Sequence, residues 1–225
     1  MGDATRLRTM VRVARLDATH VPRAASVLFE AFASDTTYSW GRALGRDPSA
    51  FRGWMESEYV PGLVGAFPKS VVALGPGEGG EDGVVGVLAL EDNQPHPAAE
   101  VPADRRCIHA LVETGYGMFF DALAAMKVST EARRGRFSYF AFLATDPSAW
   151  RHGVGRALVA EGVARSRADG FEWAFALCTS PKSTALFRGA GFQRWGAVVY
   201  ENFVFQGARP FASIPDEMSV MALRL

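Results

Sequence analysis

The chain has 225 residues, 48% of them hydrophobic, and its 24 basic and 24 acidic residues give a formal net charge of zero. This length predicts a single domain over residues 1–225, with residues 1–9 as a flexible tail. The balanced charge argues against nucleic-acid partners, and no apolar run reaches the roughly 18 residues of a membrane span. With no secretory signal and only two cysteines, Cys107 and Cys178, the protein is expected to be cytoplasmic.

The first half of the chain alternates strand and helix patterns. Apolar residues at every second position predict strands, and apolar residues three or four positions apart predict amphipathic helices. Capping residues and prolines mark the helix starts. In chain order the predicted elements are a strand at 11–16, a helix ending at 32, a helix beginning at 47–49, and strands at 70–74 and 84–90.

The second half follows a proline-rich connection and contains two apolar runs typical of strands buried on both faces. The helical pattern between these runs predicts a crossover, which makes the two strands parallel neighbours. The predicted elements are a helix over 104–132 that Gly115 or Gly117 could break, strands at 137–143 and 173–178 around a helix ending near 168, and closing strands at 198–205 and 218–225. This order predicts an α/β fold.

The segment Trp150–Leu158 places two glycines, Gly153 and Gly155, where a predicted strand turns into a helix. The free N–H groups and the positive dipole end of a helix start bind phosphate groups. Glycines there let the backbone approach an anion closely, although they also serve simply for tight helix packing. Three side chains add positive or hydrogen-bonding groups: Arg151, His152 and Arg156. The segment predicts a site for a nucleotide-tailed cofactor.

Preceded by Thr145-Asp146-Pro147, this segment resembles the pyrophosphate loop of the GNAT acetyltransferases, which reads Arg/Gln-x-x-Gly-x-Gly/Ala. Trp150 stands at the Arg/Gln position, and the nearest arginine is Arg151. The resemblance implies a GNAT-like mixed sheet of about seven strands, mostly antiparallel with a central parallel pair and flanked by helices. It also implies acetyl-CoA as co-substrate.

The same resemblance implies which residues contact coenzyme A. The backbones of Leu143 and Thr145 would donate to the thioester oxygen and pair with pantetheine. The full set of implied cofactor-binding residues is Leu143, Ala144, Thr145, Arg151, His152, Gly153, Val154, Gly155, Arg156, Ser183 and Phe187.

A second segment, Leu177–Phe187, resembles Leu-Cys-Ser-Ser-x-x-Ser of the insect-type arylalkylamine N-acetyltransferase branch, which carries two functional hydroxyls. Thr179 and Ser183 stand at those positions, and Ser183 is the candidate hydrogen-bond donor to the departing thiolate. The alternative for Ser183 is an ordinary hydroxyl at a helix start. Phe187 stands where many relatives carry a tyrosine general acid.

An alkyl ammonium must lose a proton before its nitrogen can attack a thioester, so a general base is expected. In the arylalkylamine branch the catalytic glutamate follows an aspartate in the first helix and its loop. The matching pair in this chain is Asp35-Thr36, so the glutamate has no counterpart. Asp35 is therefore the predicted base. The alternatives are Glu30, Glu91 and Asp92, and each of the four could equally be a surface or capping carboxylate.

The remaining candidates are aromatic residues and histidines. The histidines His20, His96 and His109 show no metal-ligand spacing, so no metal is expected. Four aromatic residues near the first helix could line an apolar amine pocket or belong to the core: Phe29, Phe32, Tyr38 and Trp40.

Together these patterns predict an N-acetyltransferase that moves acetyl from acetyl-CoA to a primary amine by direct attack. A small aryl- or alkylamine is the preferred partner, because a chain without net charge offers no evident dock for a basic protein tail. Neither a membrane nor a nucleic-acid partner is expected, and the protein would be a monomer or a homodimer. Peptide or protein N-acetylation and a non-catalytic acyl-CoA sensor are the alternatives.

Overall fold

The protein is described by a computed structural model that covers residues 11–33, 48–76, 82–92, 106–131 and 135–225. Within these ranges a seven-stranded sheet has the order β1-β2-β3-β4-β5-β7-β6. The strands β4 and β5 are parallel, and every other neighbouring pair is antiparallel, which confirms the predicted fold. The strands are β1 Arg12–Arg15, β2 Val71–Pro76, β3 Asp82–Asp92, β4 Phe137–Thr145, β5 Trp173–Cys178, β6 Gln193–Val199 and β7 Glu217–Arg224.

Helices cover both faces of the sheet. The helices α4 and α5 pack on one face, and α1, α2 and α3 pack on the other. Their bounds are α1 Val21–Ala33, α2 Pro48–Trp54 continuing through a π-helical turn Met55–Tyr59 to Val60–Leu63, α3 Arg106–Ala125, α4 Val154–Ala168 and α5 Pro181–Gly189. Across the described ranges, none of the helices is both long enough and apolar enough to cross a membrane.

A capping residue stands at the start of the first helical segment. Asp17 accepts a hydrogen bond from the backbone of Thr19, and together with His20 it forms a capping box around a short 3-10 turn. The helix α1 then continues, and it buries Val27 and Leu28 against β2, β3 and β4, as its 3.6-residue period predicts.

Two glycines set how closely the helices approach the sheet. A Cβ at Gly162 of α4 would lie 2.6 Å from Leu88 Cδ2 and 2.8 Å from the ring of Phe140. A Cβ at Gly115 of α3 would lie 2.8 Å from Leu177 Cδ2. The helix α3 is not broken at Gly115, although the sequence allowed a break there. The missing side chain of Gly115 instead lets the helix pack closely on the sheet.

The prediction for the first closing strand was wrong in position. The strand β6 ends at Val199, and the following residues, Tyr200–Asn202, form a 3-10 turn that buries the Tyr200 ring completely. The strand β6 lies at the edge of the sheet and pairs only with β7, with a register shift between Arg194 and Gly196. An exposed edge strand with a shift loses the clean alternation from which strands are recognised.

Candidate active site

A cleft opens between the two parallel strands at the centre of the sheet. The strands β4 and β5 pair only at Phe137↔Trp173, Ser138↔Ala174 and Tyr139↔Phe175. Beyond Tyr139 the two strands run on without pairing to each other. Residues 137–140 of β4 are buried, whereas 141–143 and 145 are half-buried. Partial exposure in a central strand shows that the cleft starts where the pairing stops.

The opposite edge of β4 decides which main-chain groups face this cleft. A register shift between Ala89 and Leu90 of β3 makes Ala141 the extra residue of a bulge in β4. Further along, the N–H of Asp146 donates to the carbonyl of Val85, at 2.9 Å. Main-chain groups alternate in direction along an antiparallel strand, so two donors of β4 point away from β3 and into the cleft: the N–H groups of Leu143 and Thr145.

The start of α4 lies at the mouth of the cleft. Gly153 is the N-cap residue with φ 82°, and Arg151 has φ 66°, so two left-handed residues shape the turn. Such turns gather N–H groups into an anion-binding concavity, and the N–H groups of residues 154–156 have no acceptor within the helix. The concavity has a volume of about 580 Å³ and is lined by Thr145, residues 149–156 and Leu186.

The side chains of this loop add polar groups to that concavity. Arg151 and Arg156 are exposed, and Nδ1 of His152 is buried without a hydrogen-bond partner among the described residues. An unpartnered buried ring nitrogen fits a site completed by a ligand. The indole of Trp150 is 53% exposed, and its Nε1 donates to the carbonyl of Thr145 at 3.1 Å. Lys182 lies over the same ring, with Nζ 5.8 Å from its centroid.

The segment after β5 carries the two predicted hydroxyls. Ser180 caps α5 and forms a capping box with Ser183, whose Oγ donates to the carbonyl of Ser180 at 2.9 Å. Burial raises the pKa of the Cys178 thiol to about 12, against a smaller opposing effect of its hydrogen bond with Ser183. Cys178 is therefore a neutral thiol at physiological pH. The carbonyl of Thr179 accepts a hydrogen bond from Tyr200 Oη at 3.4 Å, and the Thr179 side chain is half-buried.

Phe187, at the position of the family tyrosine, belongs to the core beneath the cleft. Its side chain is 3% exposed, and its ring meets Phe140 and Phe192 edge-on, with centroids 5.9 and 5.0 Å away. No hydroxyl is present at this position to protonate a leaving thiolate.

On the other face of the sheet, aromatic rings of α1, α2 and β4 form a cluster that we call the aromatic pocket. The ring centroids of Phe32 and Tyr59 lie 5.1 and 4.9 Å from that of Phe142, and Trp54 and Tyr59 are 4.7 Å apart. All four side chains are half-buried. Phe32 was a sequence candidate for an amine pocket, whereas Trp54, Tyr59 and Phe142 were not. Phe29 lies at its margin, next to Phe51 at 6.3 Å.

A carboxylate and two further tyrosines lie near Tyr59 of the aromatic pocket. Tyr59 Oη donates to Glu91 Oε1 at 2.6 Å, and the rings of Tyr116 and Tyr139 meet edge-on with their centroids 5.2 Å apart. Burial is the largest cause that raises the pKa of each tyrosine, and the charge of Glu91 raises it further. The three phenols therefore keep their protons at physiological pH.

The other candidate bases have different surroundings. Asp35 lies outside the described residues, together with Tyr38, Trp40 and His96. Glu30 is exposed and accepts a hydrogen bond from Ser26 Oγ at 2.8 Å, and Asp92 accepts one from the Gly135 N–H at 3.0 Å. Glu91 is thus the described candidate that borders the aromatic pocket. Within the described ranges no group of three or more histidine, cysteine or acidic residues is placed to hold a metal ion.

Comparison with known proteins identifies the family. The model of the acetyltransferase (GNAT) family matches residues 28–192, so the chain belongs to this family, as the sequence predicted, and is an acyl-CoA-dependent acetyltransferase. Enzymes of this family use acetyl-CoA as co-substrate. No curated protein is similar enough in sequence to match.

Solved structures share the fold at low sequence identity. The C-terminal condensation domain of Ebony, solved with beta-alanyl-dopamine, has a TM-score of 0.75 and 15% identity over 96% of this chain and 99% of its own. An agmatine N-acetyltransferase mutant has a TM-score of 0.69 and 17% identity, over 96% and 100%. Arylalkylamine N-acetyltransferase 2 from Aedes aegypti has a TM-score of 0.65 and 12% identity, over 95% and 98%.

Proposed function

We propose that this acetyltransferase moves the acetyl group of acetyl-CoA to the primary amine of a small aryl- or alkylamine. The observation that carries the proposal is the cleft between β4 and β5, which begins beyond Tyr139. The anion-binding loop at the start of α4 lies at its mouth, and the aromatic pocket lies on the opposite face of the sheet. A thioester in the cleft would meet an amine that arrives from the pocket side.

The loop fits the pyrophosphate of coenzyme A. The N–H groups of residues 153–156 and the exposed guanidinium groups of Arg151 and Arg156 would bind it. The pantetheine arm would extend along β4, pairing with the outward N–H groups of Leu143 and Thr145 as an added strand. These N–H groups would also stabilise the negative charge that builds on the thioester oxygen during attack.

The leaving thiolate would receive help from Ser183. Its hydroxyl donates to the carbonyl of Ser180 and also contacts the Cys178 thiol. It therefore lies beside the end of β5 that is not paired with β4. A hydroxyl carries one proton, so Ser183 would rotate away from Ser180 to donate to the thiolate. Thr179 is the second hydroxyl of this segment, and its catalytic contribution stays a prediction, as does that of Asp35.

The aromatic pocket supports a small amine as acceptor. Faces of aromatic rings attract ammonium groups and pack against aryl or alkyl chains, and the half-buried rings of Trp54 and Phe142 lie 6.4 Å apart in this pocket. The solved structures of the same fold include one with beta-alanyl-dopamine, one named for agmatine and one named for arylalkylamines, all amines. The cytoplasmic location and the single-domain organisation of residues 1–225 stay predictions of the sequence.

The test is release of free thiol from acetyl-CoA with a panel of acceptors. The panel contains 2-arylethylamines, linear alkylamines and diamines, and peptides with a free N-terminus or a lysine. We expect amine-dependent release and one N-acetyl product per thiol with the small amines. Turnover restricted to peptides would overturn the small-amine assignment. Binding of acetyl-CoA without any acceptor-dependent release would identify an acyl-CoA sensor instead.

A further inference from the structure

Four polar side chains from four elements meet where the cleft between β4 and β5 closes. Glu91 of β3 and Tyr139 of β4 are cross-strand partners, and Tyr139 is also the last residue of β4 to pair with β5. Tyr59 comes from the π-helical turn of α2 and Tyr116 from α3. Glu91 therefore lies level with the vertex of the cleft, on the strand next to β4, and its bond to Tyr59 places its carboxylate on the face that carries the aromatic pocket.

Among these groups, Glu91 is the one suited to accept a proton. The pKa of Tyr59, Tyr116 and Tyr139 is raised by burial and then by neighbouring charges, so these hydroxyls act as donors and not as bases. The 2.6 Å hydrogen bond from Tyr59 fixes Oε1 of Glu91 in place. The adjacent ring of Phe142, 4.9 Å from that of Tyr59, gives an ammonium group an aromatic face beside the carboxylate.

We propose that Glu91 binds the acceptor ammonium and removes its proton, with Tyr59 as a positioning residue; the inference rests on the proposed function. One N–H bond of the ammonium breaks, and the proton passes to a carboxylate oxygen of Glu91. The freed lone pair attacks the thioester carbonyl, and the C–S bond breaks. The thiolate of coenzyme A takes the second proton that the new amide nitrogen loses, and Glu91 returns its own proton to solvent.

Other ionisable groups lie on the elements packed around this carboxylate. The charge of Glu113 adds a small increase to the pKa of Tyr116 on α3. Oε1 of Glu113 lies 3.8 Å from Nε2 of His109 on the same helix. On the β5 side, the Cys178 thiol lies near Tyr139 and is neutral at physiological pH. Glu113→Gln removes a nearby carboxylate without touching the bond between Tyr59 and Glu91, so it is the matched control for a general loss of negative charge.

The test measures kcat/KM against pH for the wild type and the variants Glu91→Gln, Tyr59→Phe, Asp35→Asn and Glu113→Gln, with the best amine of the panel. We expect a plateau for the wild type between the pKa of the base and that of the amine, which is ~10. Glu91→Gln should lose about a hundredfold at neutral pH and rise about tenfold per pH unit toward the amine pKa, because only free base then reacts. Tyr59→Phe should lose about tenfold and keep a shifted plateau, and Glu113→Gln should match the wild type.

Further measurements distinguish a loss of activity caused by misfolding from one caused by removal of the base. Thermal melting and coenzyme A binding of each variant are measured in parallel, and Glu91→Asp, which keeps the carboxylate, should recover the plateau even if Glu91→Gln folds poorly. A wild-type profile in Glu91→Gln, or alkaline rescue in Asp35→Asn alone, would overturn the inference while leaving the acetyltransferase intact. A wild type that releases no thiol with any amine would overturn the proposed function itself, and this inference with it.

Discussion

The two sides of the cleft differ in the kind of chemical group that each presents. On the side proposed to bind coenzyme A, the candidate binding groups are main-chain N–H groups, in a segment shaped by Arg151 and Gly153 at positive φ and by the bulge at Ala141. On the side proposed to bind the acceptor, the candidate groups are side chains that four separate elements bring together, with Tyr59 and Glu91 at the centre.

This difference follows from what each side must recognise. A pyrophosphate and a pantetheine amide carry the same polar groups in every acyl-CoA. A site made of main-chain groups can therefore bind them independently of the side chains nearby. An acceptor amine is recognised by shape, aromatic contact and charge, which depend on side-chain identity. Substitutions on the first side should therefore change coenzyme A affinity, and those on the second side should change acceptor turnover and its pH dependence.

The largest expected effect is on coenzyme A binding by the double variant Gly153→Glu and Gly155→Glu. Two carboxylates would fill the concavity and repel the pyrophosphate, and Gly153 would also lose its easy access to φ 82°. We expect a loss of about a hundredfold or more in affinity, with no thermal protection by coenzyme A. The matched control is Gly117→Glu with Gly189→Glu, where nothing lies within 4 Å of an added Cβ. Unchanged coenzyme A affinity in the folded double variant would place the site elsewhere.

The next effect concerns the guanidinium groups of the loop. Alanine at Arg151 or at Arg156 should weaken coenzyme A binding by about 1–3 kcal/mol, the range for a charge-assisted hydrogen bond. Isothermal titration at two salt concentrations measures it, because an ionic contact weakens as salt rises. If neither variant differs from the wild type, the main chain alone holds the phosphates, which sharpens the contrast between the two sides.

A smaller effect is expected at Ser183. A hydrogen bond to the developing thiolate exists only near the transition state, so Ser183→Ala should lower kcat by about tenfold and leave the Kd of coenzyme A unchanged. The control is Ser180→Ala, which removes the helix cap and should cost about 1 kcal/mol of folding stability with kcat preserved. Equal losses of kcat in both variants would reduce Ser183 to its capping role.

The smallest effect separates conformation from charge at Arg151. This residue has φ 66°, where glycine is unstrained and other residues cost roughly 1–2 kcal/mol. Arg151→Gly and Arg151→Ala should lose the same coenzyme A affinity, but the glycine variant should have a free energy of unfolding about 1 kcal/mol higher than the alanine variant. Chemical denaturation of the two variants measures the difference, and equal stabilities would show that the left-handed turn carries no strain.

The strand β4, the loop after it and α4, which form the proposed coenzyme A side, were predictable from sequence because their signals are local. The apolar run of β4, the glycines at 153 and 155 and the helical period of α4 follow one another along the chain. The α/β order followed in the same way. The strand β6 was misplaced because an edge strand with a register shift has no clean alternation.

The acceptor side was not predictable to the same depth. Glu91 was only one of four candidate carboxylates, and Tyr59, Tyr116 and Tyr139 carried no motif. These tyrosines are far apart in sequence and meet only because α2 and α3 pack on the same face of β4. The one usable signal was chemical: a carboxylate at the end of the otherwise apolar strand β3.

The most direct test of the account is a crystal structure with a bisubstrate analogue, in which coenzyme A is joined through an acetyl bridge to a 2-arylethylamine. The account predicts the pyrophosphate on the N–H groups of residues 153–156, pantetheine paired with Leu143 and Thr145, and the aryl ring against Trp54 and Phe142. The amine nitrogen should lie within one hydrogen bond, or one bridging water, of Glu91. A pyrophosphate bound away from the start of α4, or an amine nitrogen on the α4 face of the sheet, would contradict it.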